Sequence, residues 1–277
     1  MNPLHEIGLI VARELRKNLR SAKGIVLLLL SLLGGTGIAL LIVAYFQAEL
    51  ANVPREELRA AQDDLFTRAY NDPAMGHYLG GAPLALVVML FLSVWLAPLL
   101  VALAGFDGIS GEVQSRAVRF WTVRVRRSSY FVGKFVGIWA VVSIITLLMN
   151  MFMWGVSIGR GAYGVGDTIS WGVRFWLVSL PLSAIWCGIA TFVASLFRTP
   201  ILGLLTTFVT FFVLWFLGWA IAHKPEIAWL GYIYPNHYDF WLMSPRPERV
   251  GAGLGICFLF AALPVAAGTL LFRQRDV

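Results

Sequence analysis

Apolar positions along this 277-residue chain gather into six runs that no charged residue interrupts. They are Ile25–Phe46, Pro83–Ala104, Phe135–Ile158, Phe175–Leu196, Ile201–Ala222 and Gly251–Phe272, and none contains Asp, Glu, Lys, Arg or His. A bilayer core of about 30 Å takes about 20 residues of helix, so each run predicts one membrane span. The fourth and fifth are separated only by Phe197–Pro200. The predicted fold class is all-α: a polytopic membrane protein, organised as a single six-span domain over residues 1–277. The first run is longer than the ~7–15 apolar residues of a signal peptide and follows a charged segment, so it is expected to remain as a span.

The polar segments predict the rest. In residues 1–24, Leu4, Ile7, Val11, Leu15 and Leu19 cluster on one side of a helix, and Arg13, Arg16, Lys17 and Arg20 on the other. Leu9 and Ile10 break the stripe. Such a helix suits the lipid–water interface, and Glu14, Arg16 and Lys17 are its candidate interfacial residues. The loop 47–82 begins acidic and predicts a short helix, Arg55–Tyr70, opened by Pro54 and closed at Asn71–Pro73. The loop 223–250 is rich in Trp, Tyr and Pro. It reads either as an aromatic belt at headgroup level or as a gate dipping over a path between helices.

Composition narrows the class. Apolar residues make up 58% and charged residues 13%, against about 25% charged in an ordinary soluble domain. A soluble fold, a disordered chain and a disulfide scaffold are thereby excluded. Cys187 and Cys257 both lie in apolar runs. The net charge of +7 is unevenly placed. The N-terminus, Gly105–Lys134, Phe197–Pro200 and the C-terminus together hold 14 of the 22 Lys and Arg, but only 5 of the 15 Asp and Glu. That bias puts both termini in the cytoplasm, and it accounts for the charge without nucleic acid.

Candidate chemistry is sparse. No G-x-x-x-x-G-K-[ST] loop is present to cradle nucleotide phosphates. Gly159–Gly164 matches G-x-G-x-x-G by letter but lacks a preceding strand. All four histidines fall outside the spans. No catalytic or metal-ligating residue is therefore assigned. Asn150 is the most polar deep residue, and with Thr206 and Thr210 it forms the candidate lining of a path across the membrane. Hydroxyls at such depth more often bond their own helix backbone. Gly133-x-x-x-Gly137 and Gly251-x-x-x-Gly255 permit close helix approach.

One polar segment, 105–134, is far longer than a connector needs. It reads Gly105-Phe-Asp-Gly-Ile-Ser-Gly-Glu112, with Arg116 and Arg119 following on an expected short helix that starts at Glu112. Phe106–Glu112, the basic stretch Arg124–Arg127 and Val132-Gly-Lys-Phe-Val-Gly137 resemble the signature region of the type-2 ABC transporter permease family. Ala12-Arg-Glu-Leu15 is similar to that family's amphipathic helix, and Leu271–Val277 resembles its cytoplasmic tail. Gly-Thr in place of Arg116-Ala117, and Pro near Val125, are common in the family and absent here.

The resemblance implies the membrane subunit of an ATP-driven exporter in a bacterial inner membrane. Two copies of a separate ABC ATPase would dock on the cytoplasmic face, together with a second permease copy or paralogue. ATP and Mg would sit on that ATPase, and this chain would bind no cofactor of its own. Asp107, Gly111, Glu112, Arg116 and Arg119 become the expected ATPase-coupling residues, with Glu112 facing a basic group on the partner. The rival reading is a non-transporting scaffold that holds an extracytoplasmic partner through loop 47–82.

Overall fold

A computed structural model describes residues 2–49, 55–161 and 163–274. The described residues form helices and turns, with no strand among them. Helix α1 is Pro3–Arg20, followed by α2 (Ala22–Leu30), a wider π-helical stretch at Ser31–Thr36, and α3 (Gly37–Glu49). A polar hairpin of α4 (Arg55–Tyr70) and α5 (Pro73–Gly80) precedes the long α6 (Leu84–Gly105). Two short helices, α7 (Ser110–Gln114) and α8 (Val118–Arg124), lead into α9 (Arg127–Gly159). Then come α10 (Val165–Leu196) and α11 (Pro200–His223). Two 3₁₀ turns, Pro225–Ile233 and Pro235–Tyr238, with α12 (Asp239–Met243), connect to α13 (Pro247–Gln274).

Six helical segments are long and apolar enough to cross a membrane: Ala22–Phe46, Leu84–Gln114, Arg127–Gly159, Val165–Leu196, Pro200–His223 and Pro247–Gln274. These are the six spans expected from the apolar runs. The helix Arg55–Tyr70 also forms between its expected ends, although Pro54 lies outside the described residues. The tail residues 275–277 lie outside them as well.

Two helices overrun their apolar cores. α9 has 33 residues and α10 has 32, or about 50 Å each at 1.5 Å per residue. A charged residue ends an apolar run without ending a helix. α9 thus already includes Arg127–Lys134, and α10 already includes Asp167 and Arg174. α10 is the central helix, packing on α6, α9, α11 and α13. α11 lies at the periphery and buries only Gly203, Thr207 and Phe211.

Glycine decides two helix contacts. A Cβ on Gly133 would stand 2.8 Å from Ile10, and one on Gly137 2.7 Å from Glu14, so α1 lies directly on α9. At Gly24 a Cβ would overlap the Asn18 carbonyl, so the turn from α1 into α2 needs glycine. The close approach that Gly251 and Gly255 permit is not made among the described residues, where nothing lies within 4 Å of a Cβ at either position.

Candidate functional site

Charged residues of α1, α7 and α9 converge at one end of the bundle. Helix α1 turns one stripe toward the protein: Glu6, Ile10, Glu14 and Asn18, spaced every fourth residue. Its expected apolar stripe is divided, with Leu4 and Leu19 exposed and Ile7, Val11 and Leu15 half-buried. Arg16 and Lys17 remain exposed. Glu14 does not. It is buried against α9, so its expected place on the interfacial polar face is corrected.

Lys134 is the centre of the site. It is 0% exposed and donates from Nζ to Glu14 Oε1 and to Glu112 Oε1, at 2.6 Å each. Glu112 Oε1 also accepts from Arg13 Nη1 at 2.9 Å, and its Oε2 accepts from the Tyr130 hydroxyl at 2.7 Å. Two carboxylates thus meet two cations, and the formal charge of the cluster cancels. A buried charge is tolerated when paired and hydrogen-bonded in this way. The Asn18 amide donates to the Glu14 carbonyl at 3.0 Å. Ring contacts carry the cluster outward: Arg13 lies 4.3 Å over Trp121 of α8, and Tyr130 stacks on Phe272 of α13 at 5.7 Å.

A second set stands beside it. Lys23 of α2 bonds Asp107 and the Ala104 carbonyl, and Lys17 approaches Asp107 at 3.8 Å. Asp107 is therefore tied to α1 and α2. Glu6 sits at the start of α9. The Ser129 hydroxyl and the Arg126 N–H donate to it and hold its carboxyl below the usual carboxylate range. An acid at a helix N-terminus is also favoured by the helix dipole.

Two expectations about the 105–134 segment are corrected. Glu112, Arg116 and Arg119 do not share one helix: α7 ends at Gln114, and Arg116 takes a left-handed φ of 59° before α8 begins. And Glu112 points inward. Its carboxylate is filled by Arg13, Lys134 and Tyr130 of its own chain, so it is not presented to a partner's basic group. Arg116 and Arg119 are exposed. So are Phe120 and Val123 on α8, at 77% and 87%. Gly111 lies 3.8 Å from Pro200, where a Cβ would be, so α7 rests on the first turn of α11.

The candidate path residues part company. Asn150 is buried inside the chain, where its amide donates to Thr146 O at 2.8 Å and Ser93 Oγ at 3.3 Å, so its expected place in an open path is corrected. Thr206 and Thr210 are half-buried on α11, with the Thr210 hydroxyl bonding the Thr206 carbonyl. Sequence reasoning passed over Lys134, Tyr130, Lys23 and Arg13 as site residues. A signal for Lys134 was present: it lies between Gly133 and Gly137, on the part of α9 where another helix can approach.

This geometry defines a class: a six-span, all-helical membrane protein whose N-terminal helix and intracompartment segment are locked together by buried ion pairs at one end. Residues 9–235 match the family described as ABC-2 family transporter protein, and the chain belongs to that family. It is a membrane permease of an ABC transporter, a multi-pass protein of a family that partners with an ABC ATPase subunit. No curated protein sequence matches the chain.

Proposed function

We propose that this chain is the permease subunit of an ATP-driven exporter in a bacterial inner membrane, with both termini cytoplasmic. Two separate ATPase subunits dock at the basic end, and a second permease copy or paralogue completes the path. ATP and Mg belong to the ATPase. The observation that supports this most is the α7–α8 segment. Its outer side exposes Phe120, Val123, Arg116 and Arg119, while its inner side is anchored through Glu112 to Lys134 and Arg13.

A displacement of α8 by a closing ATPase would act on a latched element. Glu112 ties α7 to α1 and α9, and Gly111 rests on the start of α11. Movement at the cytoplasmic end is thus passed to α9 and α11 together. Docking moves from Glu112, the residue expected from sequence, to the exposed face of α8.

The test is co-purification in mild detergent from the native host. A stoichiometric ATPase that carries a Walker A loop, lost on Phe120→Asp/Val123→Asp while the permease stays folded, supports the exporter. A partner bound only through α4 supports the scaffold reading and contradicts this one.

A further inference from the structure

At the end of the bundle that holds the ion-pair cluster, α9 begins where α13 ends. Arg127 Nη1 donates to the Arg273 carbonyl at 2.8 Å. One turn further along α9, Tyr130 stacks on Phe272 at 5.7 Å, and a Cβ on Gly268 would strike the Phe131 ring at 2.3 Å. The two helix ends are therefore held at one height. α13 fixes that height: its apolar run stops at Phe272, so Arg273 is the first residue past the hydrocarbon layer. Leu270 and Leu271, just before it, are exposed on the outside of the bundle. Exposed leucines at the end of a span lie against acyl chains.

The segment that enters α9 adds to this corner. Val125 and Arg126 are both extended, with φ, ψ of −133°, 148° and −62°, 139°. Side chains alternate along extended backbone. Val125 turns inward, onto the apolar cluster that holds Phe272, and Arg124 and Arg126 stay exposed. Arg273 is exposed as well. Together with Arg127 they place four arginines at the edge of the apolar layer. Glu6, beside Arg126, offsets part of that charge. Among the described residues, no salt bridge ties Arg124 or Arg273 to a carboxylate. Basic residues at the end of a span favour an anionic headgroup over a zwitterionic one by about fivefold each. An acidic protein would match the charges, but not the leucines that lie below them.

We propose that the corner between α9 and α13, with Arg124, Arg126, Arg127 and Arg273 above Leu270 and Leu271, is a docking surface for anionic phospholipids. Each guanidinium meets headgroups of the surrounding lipid, so no single phosphate has to reach all four. The surface needs neither ATP nor an ATPase subunit, so this proposal and the exporter reading stand or fall separately.

The test is photolabelling of the full chain in phosphatidylcholine nanodiscs. Phosphatidylglycerol and phosphatidylcholine, each with the same diazirine near the top of one acyl chain, serve as matched trace probes. Phosphatidylglycerol should label residues 124–135 and 263–274 at least about fivefold more than phosphatidylcholine does. Residues 37–46 of α3, which carry no charge, should show a ratio near one. Raising the salt from about 0.05 M to about 0.5 M should lower the preference at the corner. Arg124→Gln/Arg273→Gln should cut it at least about threefold, and leave labelling by phosphatidylcholine unchanged. Arg124→Lys/Arg273→Lys keeps the charges and should keep the preference. Equal labelling of the corner by the two lipids would overturn the proposal. So would the same preference on α3, or a Gln variant that labels like the wild type. A corner that neither lipid labels is covered by protein, and that result would overturn the proposal too.

Discussion

Replacing Lys134 by methionine is the most informative single change in the ion-pair cluster. The side chain keeps most of its length and loses its charge, and two carboxylates then face one another without their shared cation. Each Oε1 lies 2.6 Å from Nζ, so the two oxygens are at most 5.2 Å apart, twice that distance. At an effective dielectric constant of about 20, two unit charges at that separation repel by about 3 kcal/mol. Breaking a buried pair by removing one partner costs about 3–5 kcal/mol, whereas an exposed pair is worth about 0–1. The two magnitudes do not overlap, so the experiment discriminates. Thermal unfolding of the purified chain, followed by monodispersity on size-exclusion chromatography, should show Lys134→Met melting on the order of 10 °C lower. Adding Glu14→Gln removes the repulsion and leaves Arg13 paired with Glu112. The double variant should recover at least half of the loss. A Lys134→Met chain that melts within 2 °C of wild type, or a double variant worse than the single, would refute the buried cluster.

Gly137→Leu should lift α1 off α9, since even a Cβ there meets Glu14 at 2.7 Å. Protease protection of residues 3–20 is expected to fall while the spans remain inserted. Asn150→Leu, paired with Ser93→Ala, removes both ends of an internal hydrogen bond and should change stability by less than about 1 kcal/mol, with transport intact. A loss of transport at normal stability would return Asn150 to a path. At the opposite end, burial raises the Asp239 carboxyl to about 7 from 3.8. A raised acid binds its proton more tightly in the folded state, so its stabilising contribution is full below about pH 4 and is lost as pH rises through about 7. Melting temperature should fall between pH 5 and pH 8, and Asp239→Asn should flatten that slope.

Local chemistry made part of this protein legible in its sequence. The six spans follow from apolar length, since a bilayer accepts little else. Helix α4 is marked by Arg55 after a proline and by the turn residues beyond Tyr70. Gly133 and Gly137 flagged a close contact that the structure makes between α1 and α9. What stayed hidden depends on partners distant in the chain. Glu14 reads as part of a polar face because nothing near it announces Lys134, 120 residues away. The stripe Glu6, Ile10, Glu14, Asn18 did carry a signal, since its spacing of four marks a third face of α1. Glu112 reads as a docking acid because it follows two turn-forming glycines at the edge of a basic loop. Its three internal donors come from α1 and α9. Arg116 could not be placed either, because the left-handed turn at that residue needs no glycine to announce it. Likewise, nothing in the aromatic loop alone reveals that Asn236 and Trp186 line one cavity.

The central claim is that the exposed face of α8, backed by the Glu112 latch, is where an ABC ATPase docks. A photo-crosslinking amino acid placed at position 120, in the otherwise native chain in its own membrane, tests this most directly. One dominant crosslinked product is expected, a protein whose peptides include a Walker A loop, reduced by prior Lys134→Met and absent when the crosslinker is moved to position 61 on α4. A chain that crosslinks no nucleotide-binding protein from position 120, or captures the ATPase equally from position 61, would contradict it.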